Sequence, residues 1–221
     1  RKISGDWYGF YPNDVFFVWG EDSGDAFIKS NNFFDNILIS GYPYPDDEHT
    51  KNAELSKIKS KFNEHGVNFI ILLVDGAHAN NDNFIAQNIP SYRMSEFINC
   101  FLNLIMKNEN FGLIIKSKKP EILKKLSKID KRLAEVKKTN RCVVIDTFGS
   151  EPKIYSELAD MSVGISVDFP TALLQIAISG SRSIIYDYSN LKNLDKNLYN
   201  WGENKVIFRD LKLMLKKIKN F

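Results

Sequence analysis

From Val67 onward the chain alternates short apolar runs with stretches in which apolar residues recur every three or four positions. Val67–Val74 (VNFIILLV), Phe111–Lys116 (FGLIIK) and Cys142–Asp146 are apolar almost throughout, as are Ser162–Ser166, Ser183–Tyr186 and Lys205–Phe208. Runs this short and continuous predict strands buried on both faces; a half-exposed strand would alternate apolar and polar residues. Between them, Ser95–Lys107 places Phe97, Phe101, Leu104 and Ile105 at helical spacing, with Ser91 as the expected N-cap. Asp75–Pro90 reads as a polar loop. Pro120 opens a Lys-rich helix over Glu121–Leu126 that continues towards Val136. Pro152–Leu158 and Pro170–Ile178 predict two more helices, the second ended by Gly180, and Asp210 caps a basic helix reaching Lys219.

Strands alternating with helices at this spacing predict right-handed βαβ units: an α/β fold, with a Rossmann-like parallel sheet and helices on both faces. Residues 1–44 read differently. They hold an aromatic-rich run, Val15–Trp19, and a second strand, Asn36–Ser40, that ends at Gly41-Tyr42-Pro43. The polar segment after it suits an inter-domain linker, which puts a boundary near Gly41–Asp47. The expected organisation is therefore a closing segment of a preceding domain over 1–44, a linker and lead-in helix over 45–66, and the parallel-sheet domain over 67–221. The chain opens Arg1-Lys2-Ile3 rather than with Met, which reads as a piece of something longer.

Composition narrows the partners. Apolar residues make up 43% of the 221 positions, enough for a full core. The net charge is +3, but the lysines are spread along the chain rather than gathered in a stripe with aromatics, so a nucleic-acid partner is not expected. Cys100 and Cys142 sit inside apolar runs and read as buried thiols of a reducing, cytoplasmic compartment. His49, His65 and His78 lack partners at metal-ligand spacing, so no metal is expected. The longest apolar runs are strand-sized, far short of the ~18–20 residues that span a bilayer. Lys212, Lys216, Lys217 and Lys219 on the closing helix suit either a solvated face or peripheral contact with anionic lipid.

In a doubly wound sheet, ligands bind outside the carboxyl ends of the strands, where helix N-termini present N–H groups. Gly76, after the first strand, allows a close backbone approach to a ligand and serves a plain turn equally well. No G-x-G-x-x-G occurs, so a nicotinamide or flavin fingerprint is not supported. Lys116 ends the second strand and can face a phosphate. Ser166, Asp168, Pro170 and Thr171 surround the helix start after the fourth strand, a pattern that fits a phosphate site or a plain N-cap. Asp187, ending the fifth strand, suits a sugar hydroxyl or a turn cap. No G-x-S-x-G elbow and no Cys–His pair marks a nucleophile.

At Ala159–Tyr188 the run ADMSVGISVDFPTALLQIAISGSRSIIYDY resembles the donor-site segment of bacterial GT-B glycosyltransferases that build surface polysaccharides and teichoic-acid-like polymers. Upstream, GLIIKSKKP resembles the strand of those enzymes that ends in a lysine, and WGENKVIFRDLKLMLKKIKNF resembles their closing strand and helix. FFVWGEDSGDAFIKSNNFFDNILISGYPY resembles the end of their acceptor domain: an aromatic-Gly strand, a helix, then a strand running into Gly-x-Pro. Taken together, the resemblance spans essentially the whole chain.

It implies the donor-binding half of a metal-independent transferase, passing a sugar or polyol phosphate from a nucleotide-activated donor to a surface glycan or lipid-linked acceptor. The nucleotide sugar is then the substrate, no cofactor is implied, and the catalytic base lies in the acceptor domain, so these residues alone are expected to be inactive. Ser166, Pro170 and Thr171 match the stretch that holds donor phosphates, and Lys116 the strand-ending lysine. Two departures stand out: Ser117-Lys118-Lys119 replaces a His after that lysine, and Gln175 stands where many relatives carry a ribose-binding Glu. Two other readings share the fold: a sugar-nucleotide 2-epimerase, for which His78 with Asp75 is a thin site, and a non-catalytic binding module.

Overall fold

The computed structural model describes residues 13–18, 20–21, 34–41, 53–75, 78–79, 89–117, 123, 126, 129–145, 152–166, 171–188 and 202–220. They fall in two compact units, Arg1–Lys51 and Asn52–Phe221. In the first, β1 (Asn13–Val18) and β2 (Phe34–Ile39) pair in parallel from Asn13↔Phe34 to Val18↔Ile39. Val18 is buried, and both the backbone N–H and the hydroxyl of Ser40 donate to its carbonyl.

The second unit opens with α1 (Ala53–Glu64), followed by β3 (Phe69–Val74). The expected loop over 75–90 contains a two-residue parallel pair, β4 (His78–Ala79) and β5 (Ile89–Pro90). Next come α2 (Ser91–Lys107), β6 (Phe111–Lys116), α3 (Asp130–Lys138), β7 (Cys142–Ile145) and α4 (Pro152–Ser156). β8 (Met161–Ser166), α5 (Thr171–Ile178), β9 (Ser183–Asp187), β10 (Ile207–Phe208) and α6 (Leu211–Lys219) complete it.

One six-stranded sheet runs β10-β9-β8-β3-β6-β7, with every pair parallel. Counted from β3, the order is 3-2-1-4-5-6, that of a Rossmann-like doubly wound sheet. The continuous hydrophobicity of the strands follows from this. On β3, Ile71 and Leu73 pack in one core cluster with α2, α3 and α6, while Leu72 and Val74 pack in another with α1, α4 and α5. All four are 4% exposed or less, so neither parity of the strand tolerates a polar residue.

Local chemistry sets the helix ends. Asp210 caps α6 as expected, its carboxylate accepting from the N–H groups of Lys212 (2.8 Å) and Leu213 (3.2 Å). Gly180 adopts φ +86°, and two bonds close α5 behind it: Gly180 N–H to Ala177 and Ser181 N–H to Ile176. Ser91 is not the cap of α2. Pro90 precedes the helix in extended geometry, and Ser91 is its first residue, its carbonyl taking the hydroxyl of Ser95 at 2.8 Å. The lead-in helix α1 belongs to the domain: Leu55, Ile58 and Phe62 are buried in the second cluster.

Candidate functional site

The two halves of the sheet diverge at β3 and β8. From β3 the chain passes to α2 on one face, and from β8 to α5 on the other. Adjacent strands whose connections leave in opposite directions open a crevice at their carboxyl ends, the usual ligand position in such sheets.

Register defines what faces that crevice. Ile145, Lys116, Val74, Gly164 and Ile185 form one row across five strands. Register partners point to the same face, and Val74, Ile145 and Ile185 lie in the α1–α4–α5 cluster, so Lys116 belongs to that face. Gly164 admits α5 closely: a Cβ there would lie 2.6 Å from Leu173 Cδ1 and 3.3 Å from the Val74 carbonyl. The glycine is needed for helix–strand contact, the use to which the third glycine of a dinucleotide fingerprint is put.

Lys116 is only 3% exposed, and its Nζ donates to the Ser117 carbonyl at 3.0 Å. Burial holds its proton affinity below the usual lysine value, opposed by the neighbouring Asp75 carboxylate. Asp75, one residue past β3 and 5% exposed, accepts the Ser117 hydroxyl at 2.5 Å. Its own N–H reaches the Lys116 carbonyl at 3.3 Å, carrying the ladder one step beyond the strand. Asp75, Lys116 and Ser117 thus make a buried polar cluster where β3 and β6 end. Lys116 was legible in the sequence as a strand-end cation. The Ser117–Asp75 bond was not, because its partners lie 42 residues apart.

The other expected site residues divide sharply. Gly76, Asp168 and Pro170 lie outside the described residues. Ser166 ends β8, paired with Asp187 of β9, and its side chain is likewise not described. Thr171 is the exposed first residue of α5, and Gln175, one turn on, is half-buried. Asp187 faces a partner that sequence reasoning missed: Arg209 Nε lies 3.9 Å from its Oδ2 and Arg209 Nη1 3.7 Å from Glu203. A carboxylate at the end of β9 with an arginine immediately after its edge neighbour β10 is the only hint the sequence offered.

Neither cysteine is an activated nucleophile. Burial pushes the Cys142 thiol up to about 12, and Cys100 is also raised, by burial first and then by Glu96. A cavity of about 180 Å³ lies at the amino-terminal edge instead, between Met161, Ile184, Phe208 and Ile218. Its wall is mainly apolar, with Asn204, Lys205 and Lys217 also lining it, and it lies away from the carboxyl ends of the strands. Among the described residues, no helix is long and apolar enough to cross a membrane. No protein-family model matches the sequence, and no curated protein matches it.

Proposed function

We propose that this domain binds a nucleotide-activated sugar or polyol phosphate at the carboxyl edge of its sheet, as the donor half of a metal-independent GT-B glycosyltransferase. The supporting observation is that Lys116 and the start of α5 belong to the same face, on either side of the β3–β8 switch point. Two strand spacings, about 10 Å, separate the lysine's strand from that of Gly164. A diphosphate between them meets a cation at one end and N–H groups at the other, the helix dipole adding about 0.3–1 kcal/mol. Charge on a departing nucleotide is then stabilised by protein groups. The sugar acceptor, a glycan or lipid-linked chain, belongs to the complementary half. The exposed Lys212, Lys216, Lys217 and Lys219 of α6, whose Met214 and Ile218 are buried, offer a charged face towards anionic lipid.

Calorimetric titration with nucleoside mono- and diphosphates tests the binding step. Absence of any heat and of any thermal shift across the set removes the proposal. Release of free nucleotide only when an acceptor glycan is supplied separates transfer from 2-epimerase chemistry. One observation favours a non-catalytic binding module instead: the Lys116 ammonium is buried and directed at a backbone carbonyl. Complementation of glycan synthesis with Thr171→Ala and Lys116→Met decides between the two, since a module without transfer activity survives both changes.

A further inference from the structure

The cavity on the α6 side of the sheet lies where β8, β9 and β10 meet that helix. Met161 opens β8, Ile184 lies on β9, Phe208 ends β10 and Ile218 comes from α6; together they wall a space of about 180 Å³. All four belong to one core cluster and are 7% exposed or less. Protein interiors otherwise leave few holes larger than a water, and a hole costs stability in proportion to its volume. Water gains little here, because these four side chains offer it no hydrogen bond. A hydrocarbon group gains the contacts that the walls lack. Elsewhere an apolar cavity of about 150 Å³ takes benzene, so a single six-membered ring sets the scale.

The mouth is polar and positively charged. Asn204, Lys205 and Lys217 complete the lining, and all three are exposed. An exposed lysine lends its stem to a wall and carries its ammonium into the solvent beside it. Among the described residues neither ammonium is bonded or paired. A tight turn fixes Lys205: Asn204 adopts φ +63° and its N–H donates to the Ile207 carbonyl at 2.8 Å, while Val206 N–H donates to Gly202 at 2.9 Å. Glu203, the carboxylate of this turn, lies 3.7 Å from Arg209 Nη1. The carboxyl end of α6 is partially negative, and the full charges of Lys216, Lys217 and Lys219 in its last turn outweigh it.

The geometry points to a binding site for a small apolar carboxylate of the size of benzoate, its ring in the cavity and its charge between Lys205 and Lys217. The walls admit the ring, and only an anionic head matches the two ammonium groups. A sugar or a nucleotide would set its hydroxyls against Met161, Ile184 and Phe208. The site is therefore separate from the donor crevice at the opposite edge of the sheet, and stands or falls without it.

The test titrates the full chain with three ligands of one shape, benzoate, benzyl alcohol and benzylamine, and with acetate as the anion that lacks a ring. The methyl resonances of Met161, Ile184 and Ile218 report on the walls. Benzoate is expected to shift all three saturably and to bind about fivefold more tightly than benzyl alcohol, the scale of an exposed ion pair. Benzylamine and acetate are expected to leave them in place. Lys205→Gln with Lys217→Gln, both at exposed positions, is expected to bring benzoate to within roughly twofold of the alcohol. Methyls that stay fixed with benzoate at its solubility limit overturn the site. So does an alcohol or amine that binds as tightly as benzoate, an acetate that reproduces the benzoate shifts, or a double variant that keeps the full preference for the anion.

Discussion

Gly164 and Leu173 occupy each other's space: the leucine methyl sits where a side chain on the glycine would begin, 2.6 Å from its ideal Cβ. Helix α5 rests on β8 through this contact, so the height of its first turn above the sheet depends on a missing methyl group. Gly164→Ala is expected to destabilise the domain by about 1–3 kcal/mol, because Leu173 is fully buried and the Val74 carbonyl lies on the other side. Gly164→Ala with Leu173→Ala is expected to lose less than the sum of the two single losses. Urea unfolding of the four proteins checks this, and strict additivity would contradict the contact.

Lys116→Met removes a charge that burial disfavours and keeps the length of the side chain. The folded protein holds the Lys116 proton less tightly than the unfolded chain does, so the parent gains stability as pH rises from the lowered folded value towards 10.5. The variant lacks that gain. Relative to the parent it is therefore most stable at neutral pH and loses this advantage by pH 10.5, as unfolding at the two pH values will show. Nucleotide affinity is expected to fall at least tenfold over the same substitution.

Cys142 behaves with the opposite sign. Its folded value is raised from 9.0 to about 12, so its contribution to stability is full below pH 9 and is lost as pH climbs towards 12. Cys142→Ala is expected to flatten the alkaline loss of stability. In the native state a thiol reagent at pH 8 is expected to modify Cys100 slowly and leave Cys142 untouched until the protein unfolds.

Arg141 ties the end of α2 to the start of β7. Its Nη1 donates to the carbonyls of Ile105 (2.8 Å), Asn108 (2.6 Å) and, more weakly, Phe111 (3.4 Å). Arg141→Ala leaves buried acceptors without their donor and is expected to cost about 2–4 kcal/mol in urea unfolding. Arg141→Lys is expected to recover less than half of that, since an ammonium cannot match the position of a planar guanidinium.

The strands were legible because a sheet covered on both faces admits almost nothing but apolar residues. β3, β6, β8 and β9 were expected to within two residues of where they lie. Helix ends were legible where a side chain does the work, as at Asp210, and misleading at Ser91, where Pro90 already sets the backbone for the first turn. The candidate site was legible only in part. Lys116 and Thr171 announce themselves by their place after a strand and before a helix. What surrounds Lys116 does not, because its environment is assembled by the register of β6 against β3 and by the Asp75 side chain just past the end of β3, which takes the Ser117 hydroxyl. Asp187 shows the same limit: residue type and position suggested a ligand contact or a cap, and neither revealed that Arg209 lies beside it.

The strand order also governs how the chain emerges from a ribosome. β3 appears first of the six yet ends in the middle, gaining β6 and then β7 along one edge. Its other edge waits for β8, some 90 residues after β3, before its N–H and C=O groups from Ile71 to Val74 are matched. Throughout that interval the nascent protein displays an unpaired, wholly apolar edge of the kind that recruits other chains. A chain stopped at Ile145 is therefore the species that a holdase chaperone should retain, and one extended past Ser166 the first that it can release.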